Sequence, residues 1–138
     1  MSLSKQQMTQ LIQAAFGQQQ NAYAVYSHYQ VGAALLCSDG SVYGGANVEN
    51  ASSPAGICAE RAAFAAAVSD GKRGFDAIAI VGGKPGEDSP ALPCGICRQV
   101  MSEFCGDDFQ IIVAASPSDY QVYSLSKLLP FAFRLTQK

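Results

Sequence analysis

Cys58-Ala59-Glu60-Arg61 and Pro93-Cys94-Gly95-Ile96-Cys97-Arg98 gather soft metal ligands, a carboxylate and two guanidinium groups into two short stretches. Cys94 and Cys97 are three residues apart, so on a helix they share one face and can grip one ion. Both stretches are predicted to open helices. There the positive end of the helix dipole favours thiolate, the form that binds metal. Three thiolates make three ligands for zinc. The fourth is either another side chain, which closes the site and makes it structural, or water, which leaves it open for catalysis. Cys105 lies beyond Cys97 by about 12 Å along a continuous helix and cannot reach the same ion. Cys37 shares the strand parity of Val31, Ala33 and Leu35 and reads as core. His28 precedes that strand in a loop; it reads as a surface histidine but stays a candidate ligand. Water is the best fourth ligand.

Glu60 is two residues past Cys58, near enough to touch water on the metal without binding the ion. Zinc lowers the pKa of such water to about 7, and a neighbouring carboxylate can then carry protons between it and a substrate. Taken alone, Glu60 would read as a solvated first-turn acid complementing the helix dipole. Beside three spaced cysteines, the catalytic reading takes precedence. Three thiolates with one Zn2+ leave a net negative charge, which Arg61 and Arg98 are expected to offset.

The elements that must position these groups follow from apolar periodicity. Leu3, Met8, Leu11, Ile12, Ala15 and Phe16 recur at helical spacing and predict an amphipathic helix over Ser4 to Gln20. The apolar run Val31 to Ser38, the turn Asp39-Gly40 and the extended run Val42 to Val48 predict a hairpin. An alanine-rich helix is expected from about Ile57 to Val68, closed by Asp70-Gly71. A buried strand follows at Ala77 to Val81, then a Gly- and Pro-rich loop from Gly82 to Pro93, a helix from Cys94 to Phe104 and a strand from Phe109 to Ala115. Only Ser116 to Tyr120 separate that strand from the extended segment Gln121 to Ser124. Parallel neighbours need a crossover of about a dozen residues, so these two, if paired, are antiparallel. A short helical stretch, Ser126 to Leu129, and the tail Pro130 to Lys138 end the chain. Strands alternating with helices in 138 residues predict one α/β domain, a five-stranded mixed sheet with helices on its faces.

Composition narrows the partners. The net charge is −2 without any Lys/Arg run, which disfavours a nucleic-acid backbone and favours a small, nearly neutral ligand. The polar, glutamine-rich N-terminus has no apolar signal core, and no run approaches membrane-spanning length, so a cytoplasmic protein is expected. Five cysteines in such a chain point to metal binding rather than a disulfide framework. With 49% apolar residues and 14% charged, part of the apolar excess is expected in subunit contacts.

A glutamate two residues past one ligand and a later Pro-Cys-x-x-Cys form the constellation of zinc deaminases. The chain resembles, over nearly its whole length, the cytidine deaminases of the free-nucleoside type. The matching segments are Tyr26-Ser27 with Val31-Gly32-Ala33-Ala34-Leu35, Asn47-Val48-Glu49-Asn50, the two cysteine stretches with Gln99, and Leu128-Leu129-Pro130. The resemblance implies a three-layer α/β sandwich with one Zn2+ per chain on Cys58, Cys94 and Cys97. Glu60 would protonate ring nitrogen N3 as the activated water attacks C4, then deliver a proton to departing ammonia. It implies further that Asn47 and Glu49 hydrogen-bond the ribose, for which the alternative is turn chemistry at a strand end. The backbone around Ala59 would read the pyrimidine edge. The family forms homotetramers in which a C-terminal aromatic, here Phe133, reaches a neighbour's site. Three departures stand out. Tyr29 replaces a phenylalanine packed against the base, so its hydroxyl needs a partner or water. Leu92 replaces a serine expected to act through its backbone carbonyl. Phe131 replaces a glycine in the tail, which bears on the tail's path and on Phe133.

Three rival readings are weighed against a cytidine or deoxycytidine deaminase. Deaminases of polynucleotide bases have histidine as first ligand and a parallel last strand pair, whereas this chain has Cys58 and a five-residue connection. A deaminase of blasticidin-type nucleosides shares the cysteines and the glutamate, but Asn47-Val48-Glu49-Asn50 and Arg61 favour cytidine. A zinc-stabilised binding module without activity would need a fourth protein ligand, and no convincing one is found.

Overall fold

The computed structural model describes residues 3–84 and 90–135. Along the chain it forms α1 (Lys5–Gln19), β1 (Gln30–Cys37), β2 (Val42–Ala46), a 3-10 turn at Ser53–Ala55, α2 (Ala59–Ser69), β3 (Phe75–Gly83), α3 (Gly95–Phe104), β4 (Gln110–Ala114), β5 (Tyr120–Ser124) and α4 (Leu125–Leu128). The five strands form one sheet in the order β2-β1-β3-β4-β5. Only β3 and β4 run parallel, joined by the crossover that contains α3. The last pair, β4 and β5, is antiparallel, as the short connection requires. The mixed five-stranded sheet with helices on both faces is the architecture expected from sequence.

Strand parity explains the layers. Ala33, Leu35, Cys37, Ile78, Ile80, Ile111 and Val113 belong to the buried cluster that includes Ala63 and Phe64 of α2 and Met101 of α3. Ala34, Ala77, Ala79, Val81, Ile112 and Ala114 point the other way, into a cluster with Leu11, Ile12 and Ala15 of α1. Residues of alternate parity thus serve opposite faces. Cys37 lies in the first cluster, 1% exposed, as core. α1 begins with a capping box, Ser4 accepting from the Gln7 amide while the Gln7 side chain accepts from the Ser4 amide.

Two glycines let helices approach the sheet closely. A Cβ on Gly32 would lie 2.1 Å from the Ala15 carbonyl oxygen, so α1 rests directly on β1. A Cβ on Gly45 would lie 2.4 Å from the Ala59 carbonyl oxygen and 2.6 Å from the Ala63 amide, so the first turn of α2 rests on β2. Phe64 ties α2 to the opposite end of the layer. Its ring lies 5.2 Å from Phe75, 5.9 Å from Phe104 and 6.2 Å from Phe109, centroid to centroid. Aromatic packing of this kind adds about 0.5–1.5 kcal/mol per pair beyond burial, and it couples the two helices that begin with the cysteine stretches.

Three elements differ from expectation by two residues at a boundary, the others by one at most. β3 is longer than Ala77 to Val81 because β1 pairs along it from Gln30↔Gly83 to Cys37↔Phe75. β2 stops at Ala46, where the chain leaves the sheet. Val48 then bridges Tyr23 on one side and Ile57 on the other. That second bridge, with N–H···O distances of 3.0 Å in both directions, holds Ile57 extended and delays α2 to Ala59. Of the expected loop Gly82 to Pro93, residues 85–89 lie outside the described residues, as do residues 136–138 of the tail. No helix among the described residues is long and apolar enough to cross a membrane.

Candidate metal centre and active site

Cys58 and Cys94 are the N-cap residues of α2 and α3, both with extended backbone (φ −78°, ψ 155° and φ −69°, ψ 169°). Neither side chain caps its own helix, so both sulfurs are available to a common centre. Cys97, one turn into α3 and buried, completes it. The Cys94 and Cys97 sulfurs are 3.5 Å apart, those of Cys58 and Cys94 3.9 Å, and all three lie within 4.8 Å of one another. Sulfurs bound tetrahedrally to zinc at about 2.3 Å stand about 3.8 Å apart, so the triad fits that ion. Among the described residues no fourth Cys, His, Asp or Glu joins the group. Cys105 caps the far end of α3, and His28 stays exposed in its turn.

What positions the triad is partly apolar and partly polar. The Gly45 contact and the Val48–Ile57 bridge fix the start of α2. Arg98 fixes the start of α3, donating from Nε to the Pro93 carbonyl at 2.8 Å and from NH1 to the Leu128 carbonyl at 2.7 Å. Arg61 instead donates from NH2 to the Cys58 sulfur at 3.3 Å, while its Nε is buried without a partner. The two arginines paired in the sequence reading are therefore placed differently. One touches the Cys58 sulfur; the other anchors the backbone just before Cys94.

The Cys58 thiol is held well below its usual range by hydrogen bonding to Cys97 and by the Arg61 guanidinium. Cys97 is pushed up, first by that same neighbour and then by burial, because two adjacent thiols cannot both ionise without a cation between them. The donor chemistry thus asks for a positive ion. Glu60 is 4% exposed, and burial pushes its carboxyl up to about 7. A carboxyl in that range can hold or release a proton near neutral pH.

Cys58, Ala59, Glu60, Arg61 and Cys94 line a cavity of about 920 Å3. Tyr29, Asn47 and Glu49 line the same cavity from the loops between α1 and α2. Asn47 Oδ1 accepts from the Val31 amide and its Nδ2 donates to the Tyr29 carbonyl, both at 2.8 Å. Glu49 Oε1 accepts from the Tyr26 and Ser27 amides at 3.0 and 3.1 Å, and its Oε2 accepts from the Ser27 hydroxyl. Ser27 was not singled out as a site residue from sequence. Its signal was only a hydroxyl in the Tyr26-Ser27 segment, with nothing local to say that a residue 22 positions away would hold it.

Phe133 is 66% exposed and is not among the residues lining this chain's cavity. Its carbonyl accepts from Gln99 Nε2 at 3.0 Å, and Arg134 donates to the Ser102 and Cys105 carbonyls, so the tail runs along α3. Phe131 adopts the left-handed backbone (φ 56°) with its side chain fully exposed.

Residues 5–113 match the family model for the cytidine and deoxycytidylate deaminase zinc-binding region. A cytidine deaminase of Halalkalibacterium halodurans is 47% identical over 123 residues, covering 89% of this chain and 91% of that protein. One of Sporosarcina psychrophila is 46% identical over 114 residues, covering 83% and 82%. The crystal structure of cytidine deaminase from Burkholderia pseudomallei superposes with a TM-score of 0.83 at 44% identity, covering 90% of this chain and 97% of that one.

Proposed function

This chain belongs to the cytidine and deoxycytidylate deaminase family, and from that premise we propose how its own residues divide the work of deamination. It is a zinc-dependent hydrolase that replaces the exocyclic amino group of a cytidine-type nucleoside by oxygen. The observation that carries the assignment of roles is the triad of sulfurs beside a buried carboxyl on the wall of one cavity large enough to admit a nucleoside.

Cys58, Cys94 and Cys97 hold one zinc ion per chain, which supplies Lewis-acid activation of water at neutral pH. Glu60 moves protons. It takes one from the attacking water as the C4–O bond forms and places it on ring nitrogen N3. It then takes the remaining proton from the new C4 hydroxyl and delivers it to the amino group, which leaves as ammonia when the C4–N bond breaks. Its burial suits this task, since the neutral and charged forms are close in energy near pH 7. Arg61 offsets the charge that three thiolates leave on the centre, and Arg98 holds the start of α3 so that Cys94 and Cys97 converge. The backbone at Ala59 reads the pyrimidine edge and Tyr29 packs against the base.

Asn47 and Glu49 bind the ribose while holding the adjacent loop. The capacity exists: after its two hydrogen bonds Asn47 Nδ2 keeps one N–H, and Glu49 Oε2 keeps an acceptor site for a sugar hydroxyl. Phe133 completes a neighbour's cavity in a homotetramer, a reading supported by its exposure and by that of Phe131 and Leu135 beside it.

Loss of cytidine absorbance on deamination tests the assignment. Wild type and Glu60→Gln both bind one zinc per chain, and only wild type turns over, the variant falling by at least ~100-fold as expected for loss of general acid–base catalysis. Zinc-loaded wild type that leaves cytidine and deoxycytidine untouched overturns the reading in favour of a related nucleoside or a binding module.

A further inference from the structure

The segment between α1 and β1 contains no helix or strand of its own, yet it carries Tyr29 into the cavity. Its path is set by one short stretch on the far side of the hairpin, first through the backbone bridge of Val48 to Tyr23 and then, nearer the cavity, through side chains. Asn47 takes the carbonyl of Tyr29 and the amide of Val31. Glu49 takes the amides of Tyr26 and Ser27 and the hydroxyl of Ser27. The amide of Tyr29 donates to Ser27 Oγ at 3.0 Å. Tyr29 is therefore clamped on both sides of its peptide: at the carbonyl by Asn47 directly, and at the amide by Glu49 through Ser27.

The ring is held as well. A Cβ on Gly82 would come within 3.4 Å of Tyr29 Cε1, so the ring lies over bare backbone at the end of β3. His28, immediately before Tyr29, adopts the left-handed backbone (φ 59°), its amide donating to the Ala24 carbonyl at 2.9 Å. An uncommon conformation one residue before a cavity-lining ring persists only when its surroundings determine it. Here the polar bonds from Glu49 and Ser27 do so.

We infer that Ser27 is a positioning residue that links the carboxylate at the sugar end of the cavity to the aromatic ring at its base end. This rests on the deaminase reading and adds a residue to it. The hydroxyl has one hydrogen, donated to Glu49, and its lone pairs accept the Tyr29 amide, so one atom relays between the two. A sugar hydroxyl arriving at Glu49 Oε2 shares that oxygen with Ser27. Sugar binding and ring placement are then coupled through a single hydroxyl. Without it, the Tyr29 amide loses its acceptor and Glu49 one of its donors, while the three sulfurs and Glu60 are untouched.

The test is a double-mutant cycle on cytidine turnover with Ser27→Ala, Tyr29→Ala and the pair, zinc content being measured in each protein. Ser27→Ala raises KM about tenfold with kcat within a factor of two, the scale of one hydrogen bond to a charged group. In the Tyr29→Ala background the same change raises KM by clearly less, because only its effect on Glu49 remains. An unchanged KM, a loss confined to kcat, or an equal rise in both backgrounds overturns the inference, since a merely structural hydroxyl would act independently of Tyr29. Should Ser27→Ala fail to load zinc, Ser27→Cys, which keeps the shape with a weak thiol donor, takes its place under the same criteria. Zinc-loaded wild type without activity would defeat the deaminase reading; active wild type with additive effects would defeat this inference alone.

Discussion

The two walls of the cavity are built by different physics. The sulfur triad and Glu60 sit on the first turns of two helices placed by packing, through the Gly45 approach, the Phe64 cluster and burial, with Arg98 adding two hydrogen bonds to backbone carbonyls at the start of α3. The opposite wall, Tyr26 to Val31, is irregular backbone held by the side chains of Asn47, Glu49 and Ser27. Packed cores tolerate little displacement, which suits ligands that must meet one ion within tenths of an ångström. Hydrogen-bonded loops can be retuned by single residues, which suits recognition.

Substitutions on each wall test whether the two are independent. The largest effect is expected from Cys97→Ala, which removes the buried sulfur of the proposed ligand triad, and no other described Cys, His, Asp or Glu joins that group. Zinc affinity should fall by more than the ~10–100-fold cost of losing an outer partner, and turnover with it. Metal analysis and the absorbance assay check this. Full zinc content would mean that the ligand set is wrong.

Gly82→Ala probes the other wall. Its Cβ would meet Ala91 Cβ at 2.7 Å and Val31 Cγ2 at 3.2 Å, besides the Tyr29 ring. Overpacking of about 1–3 kcal/mol is expected, expressed as a fall in kcat/KM of about tenfold at unchanged zinc stoichiometry. Loss of zinc from this variant would show that the walls are not separable.

A smaller effect concerns pH. Hydrogen bonds from the Ser27 hydroxyl and amide, with that of Tyr26, hold the Glu49 carboxyl below its ordinary value of 4.5. A carboxyl lowered by folding contributes its full stabilisation above the ordinary value and loses it as pH falls through the lowered one. The Tyr26 and Ser27 amide proton shifts, followed by NMR, should therefore titrate together with a midpoint below 4.5. A midpoint at or above that value would remove Glu49 as the clamp.

The smallest effect lies outside both walls. Phe131→Gly relieves a left-handed backbone that costs a non-glycine residue about 1–2 kcal/mol, offset in part by glycine's greater entropy loss. A rise in Tm of about 1–4 °C is expected, with zinc content unchanged. A fall in Tm would mean that the exposed ring makes contacts worth more than the strain.

How much of this was legible in the sequence differs between the walls for the same reason. Cys94 and Cys97 signal one face of a helix because their spacing is helical, and helical spacing is local. The antiparallel last pair was legible because a short connection permits nothing else. Ile57 was read into the helix because its partner, Val48, is not local, and the bridge between them is a tertiary fact. Arg98 looked equivalent to Arg61, each following a cysteine directly or closely. In the fold Arg98 donates to the Pro93 carbonyl and to the Leu128 carbonyl of α4, and the second partner is brought to it only by tertiary structure.

The donor types, their pairing by spacing, the acid beside them and the alternation of strands and helices can be read from the chain alone, because each is written within a few residues. The tertiary structure decided which sulfurs meet, how deeply Glu60 is buried, and that a serine in one loop answers a glutamate beyond the next hairpin. These depend on groups far apart in the chain, and their geometry exists only after the sheet has brought them together.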